Sequence, residues 1–235
     1  MRDTALWIHD SREPAPAAGV TKALSRVTGL QVRTASWHAV QSAHRAWDFD
    51  RCVVFVHRDQ ASAADLIAAN GPRDTPVLLG QQAASVVVAA KLLQRSVRES
   101  IPVQQARLVL DGVRGMPALT ALLMYLGFLD IALIESSDLT ADDLTRMVHS
   151  DDWIVACDRG VVGDRVSSYM TDDDLMTVLP GFLLAMSQGA AMTLEVQAAV
   201  SVALATARLS HQERDAMTQA RVLAEAAWET TKRGG

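Results

Sequence analysis

The sequence has little cysteine and little lysine. The first shortage argues against a disulfide-stabilised protein, and the second limits how positive charge can contact a ligand. Its 235 residues include two cysteines, Cys52 and Cys157. Both lie inside apolar segments, so we expect reduced, buried thiols and no disulfide framework. Lysine occurs only at positions 22, 91 and 232, so most of the positive charge is carried by arginine, which favours fixed bidentate contacts with carboxylates or phosphates. The net charge of −5 argues against nucleic acid as the main partner.

The sequence also lacks long uninterrupted apolar runs. The first ten residues contain acids and no long apolar stretch, so they do not resemble a signal peptide. The longest apolar run, residues 119–135, is interrupted by Gly127 and Asp130, which favours a helix, a turn and a strand over a membrane span. We therefore expect a cytoplasmic protein without a membrane partner.

Apolar segments of strand length alternate with longer helical patterns along the chain. This alternation predicts an α/β fold, with a mostly parallel sheet or sheets and helices on both faces. A loose boundary between residues 75 and 105 divides the chain into a small N-terminal α/β unit, residues 1–80, and a Rossmann-like unit with a helical C-terminal segment, residues 81–235. Strands are predicted at residues 4–10, 30–35, 50–57 and 75–79, and helices at residues 17–29, 62–70 and 82–100.

The C-terminal part is predicted to be helical. Three aspartates at positions 172–174 are typical of a helix start, where acids meet the positive end of the helix dipole. Ser210 and Glu213 fit a capping box. The pattern after them indicates either core packing or an interface, and we expect a homo-oligomer formed through these helices. Apolar residues recur there at helical spacing at Met217, Ala220, Leu223, Ala224, Ala227 and Trp228.

Charged and titratable residues follow most of the predicted strands. In an open parallel sheet, ligands bind beyond the carboxyl ends of the strands, so these residues are candidates for a site. Histidine and aspartate can transfer protons, and arginine can bind a carboxylate or a phosphate. The alternative explanation is that loops are polar in any protein. The candidates are His9, Asp10 and Arg12 after the first strand, then His57, Arg58 and Asp59, then Asp111 and Arg114, then Glu135, and finally Asp158 and Arg159.

Four segments resemble the malic enzymes, in the order in which that family has them. Residues 80–93, GQQAASVVVAAKLL, are similar to a signature segment in which an Asp-Asp pair precedes a Gly-Thr-Ala turn and an apolar helix. Residues 54–67 resemble the Glu-Asp-Phe segment, residues 107–135 the dinucleotide-binding unit, and residues 178–205 the segment around Phe-Pro-Gly. The resemblance implies a dehydrogenase scaffold. More distantly, residues 19–30 resemble methylenetetrahydrofolate dehydrogenases and place Lys22 like the catalytic lysine of that family.

The sequence departs from the malic enzyme pattern at the metal site. Malic enzymes hold a divalent metal with three carboxylates, and the resembling positions here are Arg58, Asp59 and Gly80. A hard divalent cation needs clustered oxygen ligands and is repelled by an adjacent guanidinium. The resemblance therefore implies that no metal is bound and that metal-assisted decarboxylation is lost. The paired asparagines of the family are also missing, and Asp174 and Leu175 take their place.

The turn at residues 110–116 departs from the dinucleotide-binding pattern. If Gly112 and Gly115 are the second and third glycines of G-x-G-x-x-G, Leu110 replaces the first. If Gly127 is the anchor instead, none of the three positions is glycine. In either register Asp111 brings a negative charge near the phosphates, which Arg114 offsets only in part.

Dinucleotide binding is therefore expected to be lost, with NAD or NADP as the alternative. In that alternative Gly112 and Gly115 would approach the pyrophosphate and Glu135 would bind a ribose.

Three functions remain open on the sequence alone. The first is a repurposed dehydrogenase scaffold that binds a small polar ligand bearing a carboxylate or phosphate. In it, cofactor-independent acid–base chemistry would use His9, His57, Asp59 or Asp111, with Asp10 paired with His9. The second is a divergent NAD(P)-dependent oxidoreductase, with Lys22 or a histidine as the proton-transfer group. The third is a non-catalytic partner or regulatory subunit that works through its C-terminal helices.

Overall fold

The structure is a computed structural model that describes residues 2–9, 15–42, 51–56, 75–112, 117–156, 165–167, 172–209 and 215–234. Its first sheet, sheet A, is parallel and has the strand order β2-β1-β3-β4. The outer strand β2 has both exposed and buried positions, whereas the inner strand β3, which is wholly apolar, is buried along its whole length. The strands are β1 (Thr4–His9), β2 (Gln31–Ser36), β3 (Cys52–Val56) and β4 (Val77–Leu79).

The second sheet, sheet B, is also parallel, with the order β6-β5-β7-β8. The two sheets therefore repeat one strand order, with the first strand of each in the interior of the sheet between the second and third. The predicted α/β fold with parallel sheets is confirmed. The strands are β5 (Arg107–Asp111), β6 (Asp130–Ile134), β7 (Trp153–Ala156) and β8 (Arg165–Ser167).

Eight helices lie in the described parts of the chain. A one-turn 3₁₀ helix, Ser136–Asp138, also follows β6. Within the same residues no helix is long and apolar enough to cross a membrane. The helices are α1 (Ala18–Thr28), α2 (Trp37–Ser42), α3 (Gly80–Glu99), α4 (Pro117–Tyr125), α5 (Ala141–Met147), α6 (Asp172–Ser187), α7 (Leu194–Leu209) and α8 (Ala216–Gly234).

The helix ends follow from local residue chemistry. Helix α1 ends where Gly29 adopts a left-handed conformation with φ 72°, and α6 begins at Asp172 as predicted. The capping box predicted at Ser210 and Glu213 lies outside the described residues. In the described residues α8 starts after Asp215, whose Oδ1 accepts the N–H groups of Met217 and Thr218, each at 3.0 Å.

The cap of α8 also shifts the pKa of Asp215. The hydroxyl of Thr218 donates to Oδ2 of Asp215 at 2.6 Å. This hydrogen bond, together with those from the backbone, lowers the pKa of Asp215 below its ordinary value because it favours the charged carboxylate.

One large core joins the two sheets. Trp7 and Phe55 of sheet A meet edge to face, with ring centroids 5.1 Å apart, and the same cluster contains Leu110 and Trp153 of sheet B and Phe182 of α6. The opposite face of each sheet has a smaller cluster. Val40 of α2 packs on sheet A, and Leu144 of α5 packs on sheet B. Helices on both faces are thus confirmed.

The apolar stripe of α8 faces this core. Ala220, Leu223, Ala224 and Ala227 are buried, and α8 packs on α6 and α7. Trp228 is half-buried and Met217 is exposed. Within one chain most of the stripe is therefore used for core packing, and the homo-oligomer expected through these helices remains a prediction.

Candidate functional site

The strand order of each sheet defines where a ligand crevice can form. At the β1/β3 junction of sheet A and at the β5/β7 junction of sheet B, the chain connections that leave the two adjacent strands run in opposite directions. In parallel α/β sheets, ligands bind beyond the carboxyl ends of the strands at such a switch point, because the flanking loops diverge there. The single row of polar residues expected from the sequence is therefore divided between the edges of two sheets.

Among the predicted site residues at the carboxyl edge of sheet A, His9 is the one that lies within the described residues. It is the last residue of β1, pairs in register with Ser36 of β2 and is half-buried. The preceding residue, Ile8, pairs with Val56 at the end of β3. His9 therefore lies at the β1/β3 switch point, in contact with neighbouring groups. The other predicted residues of this edge, Asp10, Arg12, His57, Arg58 and Asp59, lie outside the described residues.

At the edge of sheet B, Asp111 ends β5 and is buried, with 1% of its surface exposed. Its carboxylate accepts the backbone N–H of Ser136 at 2.8 Å on one oxygen and the hydroxyl of Ser136 at 2.8 Å on the other. Asp111 therefore ties the end of β5 to the turn that follows β6. These hydrogen bonds give Asp111, which was predicted to bind a ligand, a structural role.

Gly112 has the conformation that a glycine turn requires. Its φ is 72°, which is costly for any residue with a Cβ, and its N–H donates to the carbonyl of Ile134 at 3.0 Å. Glu135, the next residue after β6, is half-buried and has contacts of its own. These two predicted cofactor residues thus lie at one edge of sheet B. Arg114, Gly115, Asp158 and Arg159 lie outside the described residues.

Lys22 is exposed in the second turn of α1. Its predicted catalytic role remains a prediction. Lys91, in the middle of α3, is more buried than Lys22. It donates to Oδ2 of Asp174 at 3.0 Å, and both side chains are largely covered.

The pair between Lys91 and Asp174 was not predicted from the sequence. Asp174 lies in the first turn of α6, and β8 is the described strand that precedes this helix in the chain. The two residues of the pair are 83 positions apart, and no local pattern connects them. The available signal was the position of Asp174, where the sequence departs from the asparagines of the malic enzymes.

A second polar cluster lies at the opposite, amino edge of sheet B. His149, Asp151 and Asp152 place potential ligand atoms within 4.8 Å of one another. Arg107, the first residue of β5, donates to Oδ2 of Asp152 at 2.7 Å, and the backbone N–H of His149 donates to the same oxygen at 2.8 Å. Since a guanidinium already neutralises the buried carboxylate, the geometry is that of a structural ion pair.

The residues of the chain do not fit the metal site of malic enzymes. Gly80, which resembles a metal-ligand position of malic enzymes in sequence, begins α3 directly after β4 and is buried, and it has no side-chain oxygen to bind a metal. Arg58, at a second such position, is a cation at every accessible pH. A divalent cation held by one remaining aspartate would lack most of the oxygen ligands that it needs.

Solved structures with the same fold identify the scaffold. A putative malic enzyme (malate oxidoreductase) superposes with a TM-score of 0.68 at 10% identity, over 97% of this chain and 85% of that chain. The malic enzyme of Pyrococcus horikoshii Ot3 gives 0.67 at 11% identity, over 99% of this chain and 77% of that chain. The NAD-dependent malic enzyme of Thermotoga maritima gives 0.67 at 9% identity, over 97% and 84%.

The chain has a malic enzyme-like fold. The resemblance to malic enzymes expected from the sequence is confirmed at the level of the fold, as that of a strongly diverged relative. No protein-family profile and no curated protein matches the sequence. At identities near 10% the malic enzyme-like fold carries no information about substrate or reaction, and function has to be argued from the site.

Proposed function

We propose that the chain binds a small ligand bearing a carboxylate or phosphate at the carboxyl edge of its strands. Acid–base chemistry there would depend on His9 and use neither a divalent metal nor a dinucleotide. The observation that carries the proposal is a malic enzyme-like fold maintained over nearly the whole chain although Gly80 provides no ligand at a metal position. A scaffold kept without its metal ligands favours a changed chemistry at the same crevice.

The position of His9 supports its role as the acid–base group. It ends β1 at the β1/β3 switch point and is half-buried, so a ligand in that crevice can come within hydrogen-bonding distance of its ring. Imidazole changes charge near neutral pH and can both accept and donate a proton. Arg58, which follows β3 in the sequence, would supply the positive charge that a carboxylate or phosphate needs.

A thermal-shift titration with small mono- and dicarboxylates and with inorganic phosphate tests the proposal. A ligand that binds only the folded protein raises the free energy of unfolding by about 2.7 kcal/mol at 100 times its Kd. We expect a concentration-dependent rise in Tm with at least one of these compounds. His9→Ala should weaken that binding by about ten-fold or more, the loss expected for one hydrogen bond to a charged group.

His149→Ala is the matched control for this experiment. His149 is also a histidine near a strand end, but it lies at the amino edge of sheet B, beside Arg107. We expect this variant to bind the same compound with unchanged affinity. The proposal is wrong if no carboxylate or phosphate shifts the Tm, or if the two histidine variants bind equally well.

A divergent NAD(P)-dependent oxidoreductase is the second candidate, and a specific observation favours it. The carboxylate of Asp111 is turned toward Ser136 and buried, which reduces the repulsion that the sequence had predicted, and Gly112 keeps the left-handed conformation of a phosphate-binding turn. If a dinucleotide binds, Gly112 would lie against its pyrophosphate and Glu135 would bind a ribose; the nucleotide would supply hydride transfer. Calorimetry with NAD and NADP at millimolar concentration decides between the candidates, because absence of heat excludes this one.

A further inference from the structure

The free edge of sheet B carries an apolar surface that neither proposed function uses. Strand β6 pairs with β5 on one side, and among the described residues no strand pairs on its other side. Four large apolar side chains at this edge are more than half exposed: Met124 63%, Tyr125 53%, Leu129 75% and Leu133 56%. Large apolar side chains that are exposed beside a free strand edge are a feature of interaction surfaces.

The edge lacks the residues that keep free strands from pairing. Proteins protect exposed edges with lysine, proline or charges directed along the edge. Residues 119–135 contain no lysine, arginine or proline. Of the two acids in the segment, Asp130 lies at the start of β6 with its carboxylate 3.9 Å from Nε of Arg107 in β5. The middle of the strand, from Ile131 to Ile134, is wholly apolar.

The backbone of β6 fixes which groups are available for pairing. The carbonyl of Ile134 accepts the N–H of Gly112, on the β5 side. Backbone groups alternate sides along a strand, so Ala132 also faces β5, whereas the N–H and C=O groups of Ile131 and Leu133 point outward. A second strand can therefore bond only to these odd-numbered residues.

This constraint makes β6 complementary to itself. In an antiparallel pair with its two-fold axis at Ala132, Ile131 of each strand would exchange both backbone hydrogen bonds with Leu133 of the other. Glu135 would face Leu129 and Asp130 would face Ile134, so no acid would lie opposite an acid. Registers that place Asp130 opposite Glu135 pair an inward-facing residue with an outward-facing one and cannot form the ladder.

We propose that the chain forms a two-fold dimer by antiparallel pairing of β6 with β6 of a second copy about Ala132. The side chains of Ile131 and Leu133 would be cross-strand neighbours on the face of the sheet that α4 covers. Met124 and Tyr125, at the end of α4, would extend the contact. The interface is isologous, as expected for a homodimer. It differs from the C-terminal helix interface expected from the sequence, whose apolar stripe is used inside the chain.

Substitutions at the two competing surfaces distinguish the interfaces. Leu133→Lys places a charge in the β6 pair, whereas Met217→Lys places one on α8, beside a groove of about 590 Å³ between α1, α6 and α8. Sedimentation velocity should show a dimer for the wild-type chain and for Met217→Lys. Leu133→Lys should raise the dimer dissociation constant by about ten-fold or more. Circular dichroism checks that each variant is folded.

A cross-link tests the register. Residues opposite each other in a non-hydrogen-bonded antiparallel pair are close enough for a disulfide. Ala132→Cys should therefore give a covalent dimer under mild oxidation. The unsubstituted chain, and Val202→Cys on the exposed side of α7, should not. The proposal is overturned by a monomeric wild-type chain at micromolar concentration, by dissociation of Met217→Lys with Leu133→Lys still dimeric, or by failure of Ala132→Cys to cross-link.

Discussion

At the scale of single residues, Asp111 has structural contacts at a strand end where a ligand site is predicted. Its position after β5 made it a candidate for ligand binding, because loops beyond parallel strands form crevices. In the structure both carboxylate oxygens are occupied by one residue, Ser136. The pair joins the turns after β5 and β6, and it holds Ser136, the residue that directly follows Glu135. Asp111 therefore holds the turn after β6 against the end of β5.

This arrangement predicts unequal effects of two substitutions. Asp111→Ala removes both acceptors and leaves the partly buried Ser136 N–H without this partner, which should cost about 1–3 kcal/mol in the free energy of unfolding. Ser136→Ala removes only the hydroxyl hydrogen bond and should cost less, about 0.5–1.5 kcal/mol. Urea denaturation of both variants and of the double variant measures the coupling. An Asp111→Ala variant as stable as the wild type would show that the carboxylate is free to serve a ligand.

At the scale of elements, the close packing of α6 on α8 depends on Gly181. A Cβ at this position would lie 2.6 Å from Cβ of Leu223 and 3.2 Å from the carbonyl oxygen of Ala220. Both neighbours belong to α8, and Leu223 is fully buried. Glycine here follows Pro180 inside the helix, in the segment that resembles Phe-Pro-Gly of malic enzymes. The pattern is therefore explained by helix packing.

Gly181→Ala should consequently destabilise the protein although alanine favours helices. Overpacking of a filled core costs about 1–3 kcal/mol, more than the helix propensity gained. Gly19→Ala is the matched control, because Gly19 is exposed in α1 and a Cβ there meets nothing within 4 Å. Thermal denaturation should show a lower Tm for the first variant and an unchanged or higher Tm for the second. Equal effects would exclude close helix packing as the reason for Gly181.

Elements with strong local patterns were predictable from the sequence, and their arrangement was less so. The helix expected at residues 82–100 is Gly80–Glu99, and the strand expected at residues 4–10 is Thr4–His9. The cap at Asp215 was not predicted, and the capping box predicted at Ser210 and Glu213 lies outside the described residues. His9 could be proposed from its place at the end of a predicted strand. Lys91 and Asp174 could not be paired, since only the tertiary fold brings α3 and α6 together.

At the scale of the whole molecule, the two units inferred from the sequence share one core. The last strand of sheet A ends at Leu79 and the first strand of sheet B begins at Arg107, while the division into units 1–80 and 81–235 remains a prediction. Yet Trp7 and Phe55 of sheet A belong to the same buried cluster as Leu110 and Trp153 of sheet B. Helix α3 lies between the sheets in sequence and contributes buried residues along most of its length.

A shared core predicts that the two sheets unfold together. Phe55→Ala, in sheet A, should cost about 3–5 kcal/mol, and Leu110→Ala, in sheet B, about 2–5 kcal/mol. Both should move the same calorimetric transition to lower temperature, with the calorimetric enthalpy equal to the van't Hoff enthalpy. Val202→Ala, on the exposed side of α7, should change the free energy of unfolding by less than about 0.5 kcal/mol. Two transitions, each moved by only one of the core variants, would mean that the sheets are independent domains and that a crevice at one edge can open without the other.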